Sequence, residues 1–293
     1  MVWLGWLLAG SFAMGAERAG FARHVVLPDG RKLYLVCRGR GSPTVILESG
    51  FRDDADIWIK PAESSQRQTV FPAVARFTRV CAYDRPGTTF GATGRSRSSP
   101  VRMPRTARDA VADLHALISA ARIRGPFVLV GHSTGGLLVR LYTSTYPSEV
   151  DGTVLVDAIP ETTATSLTIA QWNEYNGRYL TAPPPALAGY ADLEMFDFIQ
   201  SFHQMQRRPR PPPRIPLIVL SHGQPFGIPA PLGPAVERAW SKGQRYLASL
   251  EPDTPHIVAT KSGHYIQVED PQLVIHAIRR VVVAARVRRH TAT

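Results

Sequence analysis

The sequence predicts an α/β fold, a mostly parallel sheet with helices on both faces, on three observations. Short β-branched runs alternate with segments whose apolar residues recur at three- and four-residue spacing, the pattern of strands covered by helices. The length of 293 residues suits one core with an elaboration better than two equal domains. The composition, 44% hydrophobic and 19% charged, is that of an ordinary globular chain and excludes collagen, coiled coil and polytopic membrane protein.

The first elements are strands. Residues 24–27 and 32–37 flank a turn at Pro28, Asp29 and Gly30, and Thr44–Glu48 and 78–83 follow as apolar runs leading into the sheet. Thr106 caps a helix carrying Val111, Leu114, Leu117 and Ile118 on one face, with Asp109 placed to complete a capping box. Residues 127–130, 153–156, 216–220 and 256–259 read as buried strands. The last helix begins near Pro271 and ends in basic residues that suit its C-terminal dipole.

Two segments fall outside this alternation. Residues 1–16 carry no charged side chain and end in small residues just before Glu17 and Arg18, as a secretory signal does, though without a basic leading region. Export is the expectation, secreted or membrane-proximal, with a cytoplasmic location if this segment is not a signal. Residues 158–214 form the other departure, where Pro-rich stretches at 183–185 and 211–213 flank Trp172, Tyr175, Tyr179, Tyr190, Phe196, Phe198 and Phe202. They read as an inserted, partly helical cap, with the prolines as a stiff return to the sheet. The organisation is thus a leader at 1–16, a first core part at 17–157, the cap at 158–214 and a second core part at 215–293.

Lys and Arg outnumber Asp and Glu by 34 to 23, a net charge of +11. The charge is scattered, with short clusters only at 207–214 and 286–289, and no aromatic residues interleave them as a nucleic-acid stacking platform requires. Nucleic acid is not an expected partner.

The strongest chemical signal is Gly131, His132, Ser133, Thr134, Gly135 and Gly136, directly after an apolar strand and before a helical run. A G-x-S-x-G sequence in that context is a nucleophile elbow: the tight turn exposes the Ser hydroxyl, and the small residues let strand and helix approach. A glycine-rich helix start could alternatively bind a phosphate. A Ser hydroxyl is a weak nucleophile and needs a base from elsewhere in the fold. His264, in the loop after the last strand, sits at the same sheet edge. His132 lies inside the elbow and cannot turn back on its neighbour, and His222, following another strand, is the second choice.

Together the elbow, the run Ala82, Tyr83, Asp84, Arg85, Pro86 and Gly87, and Ser262, Gly263 and His264 resemble the α/β-hydrolase superfamily, in particular its capped serine esterase, lipase and peptidase-like members. The resemblance covers nearly all of residues 24–287. It implies an eight-stranded sheet whose second strand is antiparallel, a cap after the sixth strand, and a Ser, His and acid triad with no metal and no cofactor.

The acid departs from the family pattern, which places an Asp just after the seventh strand. There this chain reads Ser221, His222, Gly223, Gln224, Pro225, Phe226 and Gly227, with no carboxylate. Asp157, ending the sixth strand, offers one at the same edge and is the expected acid; Glu237, Glu251 and Asp253 are its rivals. The oxyanion donors implied are the backbone N–H groups of Thr134 and of Phe51, with Gly50 letting the backbone turn. Ser49 stands where many relatives carry His, and Asp84 and Arg85 are expected to brace this loop. The family's sheet order also makes the strands of Cys37 and Cys81 antiparallel neighbours, so the only two cysteines form either a disulfide or a pair of buried thiols.

The implied activity is hydrolysis of a small to medium, partly apolar carboxylic ester through an acyl-enzyme. A proline-iminopeptidase-like peptidase or a cofactor-free perhydrolase would use the same triad, and a non-catalytic ligand-binding protein would keep the fold without the chemistry. The expected partner is a small ester-type substrate, with room for transient membrane contact.

Overall fold

A computed structural model describes residues 20–61, 67–90, 94–207 and 215–292. The expected leader and the prolines at 211–213 lie outside the described residues. The main sheet has eight strands: β1 (Gly20–Val26), β2 (Lys32–Arg38), β3 (Thr44–Glu48), β4 (Val80–Tyr83), β5 (Phe127–His132), β6 (Val150–Val156), β7 (Leu217–His222) and β8 (His256–Ala259). Their order is β1-β2-β4-β3-β5-β6-β7-β8, with β2 antiparallel to both neighbours and every later pair parallel.

Every residue of β3, β5 and β6 is buried, as parallel strands covered on both faces must be. Alternate side chains divide between two cores. Ile46, Leu129 and Leu155 enter one, beneath α1 (Ala107–Ala120), α2 (Thr134–Thr145) and the cap, while Val45, Val128 and Val154 enter the other. The cap contributes α3 (Ile169–Glu174) and α4 (Phe198–Gln206), and α5 (Leu232–Ala248) and α6 (Pro271–Ala292) complete the layers. Residues Val274, Ile278 and Val281 bury α6 against the second core.

The expected capping box is present: Thr106 Oγ1 accepts from the Asp109 N–H and the Asp109 carboxylate accepts from the Thr106 N–H. The cap aromatics Trp172, Tyr175, Phe196, Phe198 and Phe202 are buried, whereas Tyr179 is exposed. Several strands differ from expectation at their ends. β6 starts at Val150, three residues early, because Asp151, a poor strand former, is held by Arg288 and Arg289 of α6. β5 and β7 each run two residues further, to His132 and His222, and so deliver chemistry-bearing side chains at one sheet edge.

Cys37 and Cys81 face each other in the β2/β4 register, with Cα atoms 4.1 Å apart and the sulfurs joined in a disulfide. Both are essentially inaccessible. The bridge closes a span of 44 residues, and loop-closure entropy assigns it about 4 kcal/mol of stability. Denatured, unreduced protein should therefore show no titratable thiol, and the double Cys→Ala variant should lose about that much unfolding free energy in a denaturant titration. Two free thiols in the purified protein would remove the bridge.

Candidate active site

Ser133 sits between the end of β5 and the start of α2 at φ 51 and ψ −120, a sparsely populated region that persists only where the surroundings enforce it. They do so here through the Ser133 N–H, which donates to the Val156 carbonyl at 3.1 Å, and its carbonyl, which accepts from the Ile159 N–H at 2.9 Å. Gly135 permits the close approach beneath: a Cβ there would lie 2.4 and 2.5 Å from the carbonyl oxygens of Glu48 and Ser49.

Asp157 follows β6 directly, fully buried and at φ 43. Its Oδ2 lies 2.6 Å from His264 Nδ1. A carboxylate can only accept, so it is Nδ1 that donates. Burial alone would raise the Asp157 pKa, but hydrogen bonds from His222 and His264 hold it well below the usual carboxylate range. Ser133 and His264 line one cavity, of about 390 Å³, with Tyr175 and Leu187 of the cap and Phe226 and Trp240 of the core. No hydrogen bond joins the two side chains.

Of the four candidate carboxylates, the structure brings Asp157 to His264. Glu251 and Asp253 lie with Pro216 and Pro255 at the opposite ends of the strands. Glu237, within α5, instead reaches His222: its Oε2 is 3.0 Å from His222 Nε2 and its Oε1 accepts from the Phe226 N–H. His222 Nδ1 in turn lies 2.7 Å from Asp157 Oδ2. Sequence reasoning missed this arrangement, although a histidine at the strand end where an acid was expected was its visible trace. Burial lowers the His222 pKa, but the two carboxylates outweigh it and push it up to about 9. Asp157, His222 and His264 thus bring three side-chain atoms within 4.8 Å of one another, each engaged in the hydrogen bonds among the three.

Neither the N–H of Phe51, on the loop after β3, nor that of Thr134, the first residue of α2, donates to an acceptor among the described residues. Ser49 ties the loop down, its hydroxyl donating to the Asp54 carbonyl and accepting from Trp58 Nε1. Gly50 acts otherwise than expected. The backbone takes its left-handed step at Arg52 (φ 66), and Gly50 is small because a Cβ would lie 2.7 Å from His132 Nδ1 and 2.9 Å from Asp53 Oδ2. Those two buried acceptors face each other at 3.8 Å without a hydrogen bond. Burial pushes the Asp53 carboxyl up to about 7 and His132 down to about 3.

Arg85 braces the loop as expected, donating to the carbonyls of Ser49 and Gly50, while Asp84 accepts from the Ala55 N–H. Its guanidinium is buried between Glu48 and Glu194 of the cap, whose carboxylate also accepts from the Arg52 N–H at 2.7 Å. Removing one member of a buried ion cluster strands the others. Glu194→Ala should therefore cost about 3–5 kcal/mol of unfolding free energy, measured by denaturant titration; a loss under about 1 kcal/mol would mean that solvent reaches the cluster.

An eight-stranded sheet with its second strand antiparallel, a Ser on the sharp turn after the fifth strand and a His-acid pair at the same edge together define the α/β-hydrolase fold. The chain belongs to the Alpha/beta hydrolase family, which it matches over residues 45–284. It is 26% identical over 254 residues to the uncharacterized protein YqjL of Bacillus subtilis (strain 168), covering 85% of this chain and 87% of that one. Among solved structures, Est816, described as an N-acyl homoserine lactone degrading enzyme, superposes with a TM-score of 0.60 at 16% identity, covering 88% of this chain and 99% of that one. E-2-(acetamidomethylene)succinate hydrolase does so at 0.58 and 19% identity, covering 90% and 99%. The family supports a hydrolytic enzyme, and the solved structures show the fold. No helix among the described residues is long and apolar enough to cross a membrane.

Proposed function

We propose that the protein is a serine hydrolase that cleaves a small to medium, partly apolar carboxylic ester through an acyl-enzyme. The observation that carries this is the 2.6 Å bond between buried Asp157 and His264, in a cavity that also exposes Ser133 on a strained elbow. His264 Nε2 takes the Ser133 proton as Oγ bonds to the ester carbonyl carbon, and the Phe51 and Thr134 N–H groups stabilise the oxyanion. Collapse breaks the bond to the alcohol, which leaves with the proton from His264. Water then attacks the acyl-enzyme by the same route, releasing the acid and restoring Ser133.

The aromatic cap and the modest cavity favour an apolar acyl or alcohol part. A lactone is a cyclic ester, so the neighbour described as degrading one is compatible with this substrate class. The test is labelling by a fluorophosphonate probe, which reports an activated Ser, beside a series of p-nitrophenyl esters graded by acyl length and a set of aminoacyl anilides. Stoichiometric labelling with ester turnover is expected. Anilide turnover exceeding that of the esters would make the protein a peptidase, and no labelling at all would leave a ligand-binding protein on this fold.

A further inference from the structure

We propose that His222, clamped between Asp157 and Glu237, is a positioning residue of this reaction: it fixes the carboxylate that serves His264 and, through its charge, sets the pH at which His264 becomes a working base. The inference rests on the serine-hydrolase reading above and concerns the tuning of that site.

The protonation state follows from geometry. His222 Nδ1 lies 2.7 Å from Asp157 Oδ2 and Nε2 lies 3.0 Å from Glu237 Oε2. Carboxylates only accept, so both ring nitrogens must be N–H, and the ring is an imidazolium. The upward-shifted pKa agrees with this. Such a ring has no lone pair to act as a base, and His222 does not line the cavity that holds Ser133.

Its effect on Asp157 is directional. Oδ1 accepts from the His222 backbone N–H at 3.1 Å and from Trp240 Nε1 at 3.0 Å, and Oδ2 accepts from His222 Nδ1. With three donors holding it, the carboxylate has one direction left, and His264 Nδ1 occupies it at 2.6 Å. Position comes with a charge. The charged and titratable groups packed against His222 are Asp157 after β6, Glu237 of α5 and, across Asp157, His264 after β8, which is itself faced by His132 and Tyr265; the rings of Phe226 and Trp240 lie against that of His222. A positive charge one carboxylate away from His264 disfavours protonating His264 and so keeps it a free base at lower pH, while Glu237 partly offsets that charge.

Two substitutions separate charge from shape. His222→Gln removes the positive charge and Glu237→Gln removes the negative charge behind it, so the His264 titration should move in opposite directions. We expect the midpoint, read by NMR of full-length ¹⁵N-histidine-labelled protein and assigned by its loss in His264→Ala, to rise by about one pH unit in His222→Gln and fall by about half a unit in Glu237→Gln. The acid limb of kcat/KM for a p-nitrophenyl ester should move with it, and KM should change less than about twofold. A merely structural role would lower rates in both variants without moving the limbs. Shifts of the same sign, or under about 0.2 unit in both, overturn the proposal. Should His222→Gln fail to fold, Glu237→Gln alone decides by the presence or absence of its downward shift. Fluorophosphonate labelling of wild type with unmoved midpoints overturns this proposal alone; moved midpoints without labelling overturn the hydrolase reading and leave the electrostatic coupling to His264 standing.

Discussion

Ser133→Ala is expected to lower ester turnover by about 10⁵-fold or more while leaving the fold and ligand affinity largely intact. The substitution removes the atom that would bond to the acyl carbon and almost no packing volume. The elbow is held by the backbone bonds to Val156 and Ile159, which alanine keeps. His264→Ala should be nearly as damaging, and the double variant little worse than either single one, because nucleophile and base act as a unit. The check is kcat from burst-free steady-state assays, with melting curves to verify folding. Retention of more than a small fraction of activity in clean protein would sink the serine-hydrolase reading.

Asp157→Asn should reduce kcat by about 10⁴-fold, or about 5 kcal/mol of barrier, with a much smaller change in apparent substrate affinity. Asparagine keeps the size of the side chain and tolerates the left-handed backbone at φ 43 better than most residues. What it loses is the second acceptor oxygen. An amide nitrogen turned toward His264 favours the tautomer with the proton on Nε2, which cannot take one from Ser133, and no anion remains to stabilise the imidazolium of the transition state. Changing Glu251 or Asp253 to the amide should have little effect, since both sit at the far ends of the strands. Glu237→Gln should cost far less than Asp157→Asn, because Glu237 touches His222 and not His264. A folded Asp157→Asn protein within about threefold of wild type, under about 1 kcal/mol of barrier, would place the acid elsewhere.

What could be read from the sequence was what is encoded locally. The apolar runs of β3, β5 and β6, the Thr106 capping box and the sharp turn at Ser133 are each written within a few consecutive positions, and the structure shows each of them, with β5 and β6 longer than expected. The strand ends were less legible because residues such as Asp151 enter the sheet on account of partners in α6, over a hundred positions away. The pairing of Asp157 with His264 was expected through the resemblance to the α/β-hydrolase superfamily, which implies a Ser, His and acid triad at one sheet edge. Nothing comparable pointed to His222 bridging Asp157 and Glu237, since this depends on how α5 lies over the end of β7. The same holds for Gly50, whose neighbour His132 comes from a distant part of the chain.

The buried contact of Glu194 with Arg85 and with the Arg52 N–H bears on how interchangeable the cap is. Helical insertions of this kind invite treatment as exchangeable modules, swapped between scaffolds to change selectivity. Here the module supplies a counter-charge to the scaffold itself: Arg85 holds the Ser49 and Gly50 carbonyls next to the expected oxyanion donor, and Glu194 holds Arg85. A transplanted cap without a carboxylate at that position would therefore disturb catalysis from below, even if its aromatic ceiling fitted the substrate. Grafts into this fold should carry Glu194 with them, or replace Arg85 and Glu48 together with neutral partners.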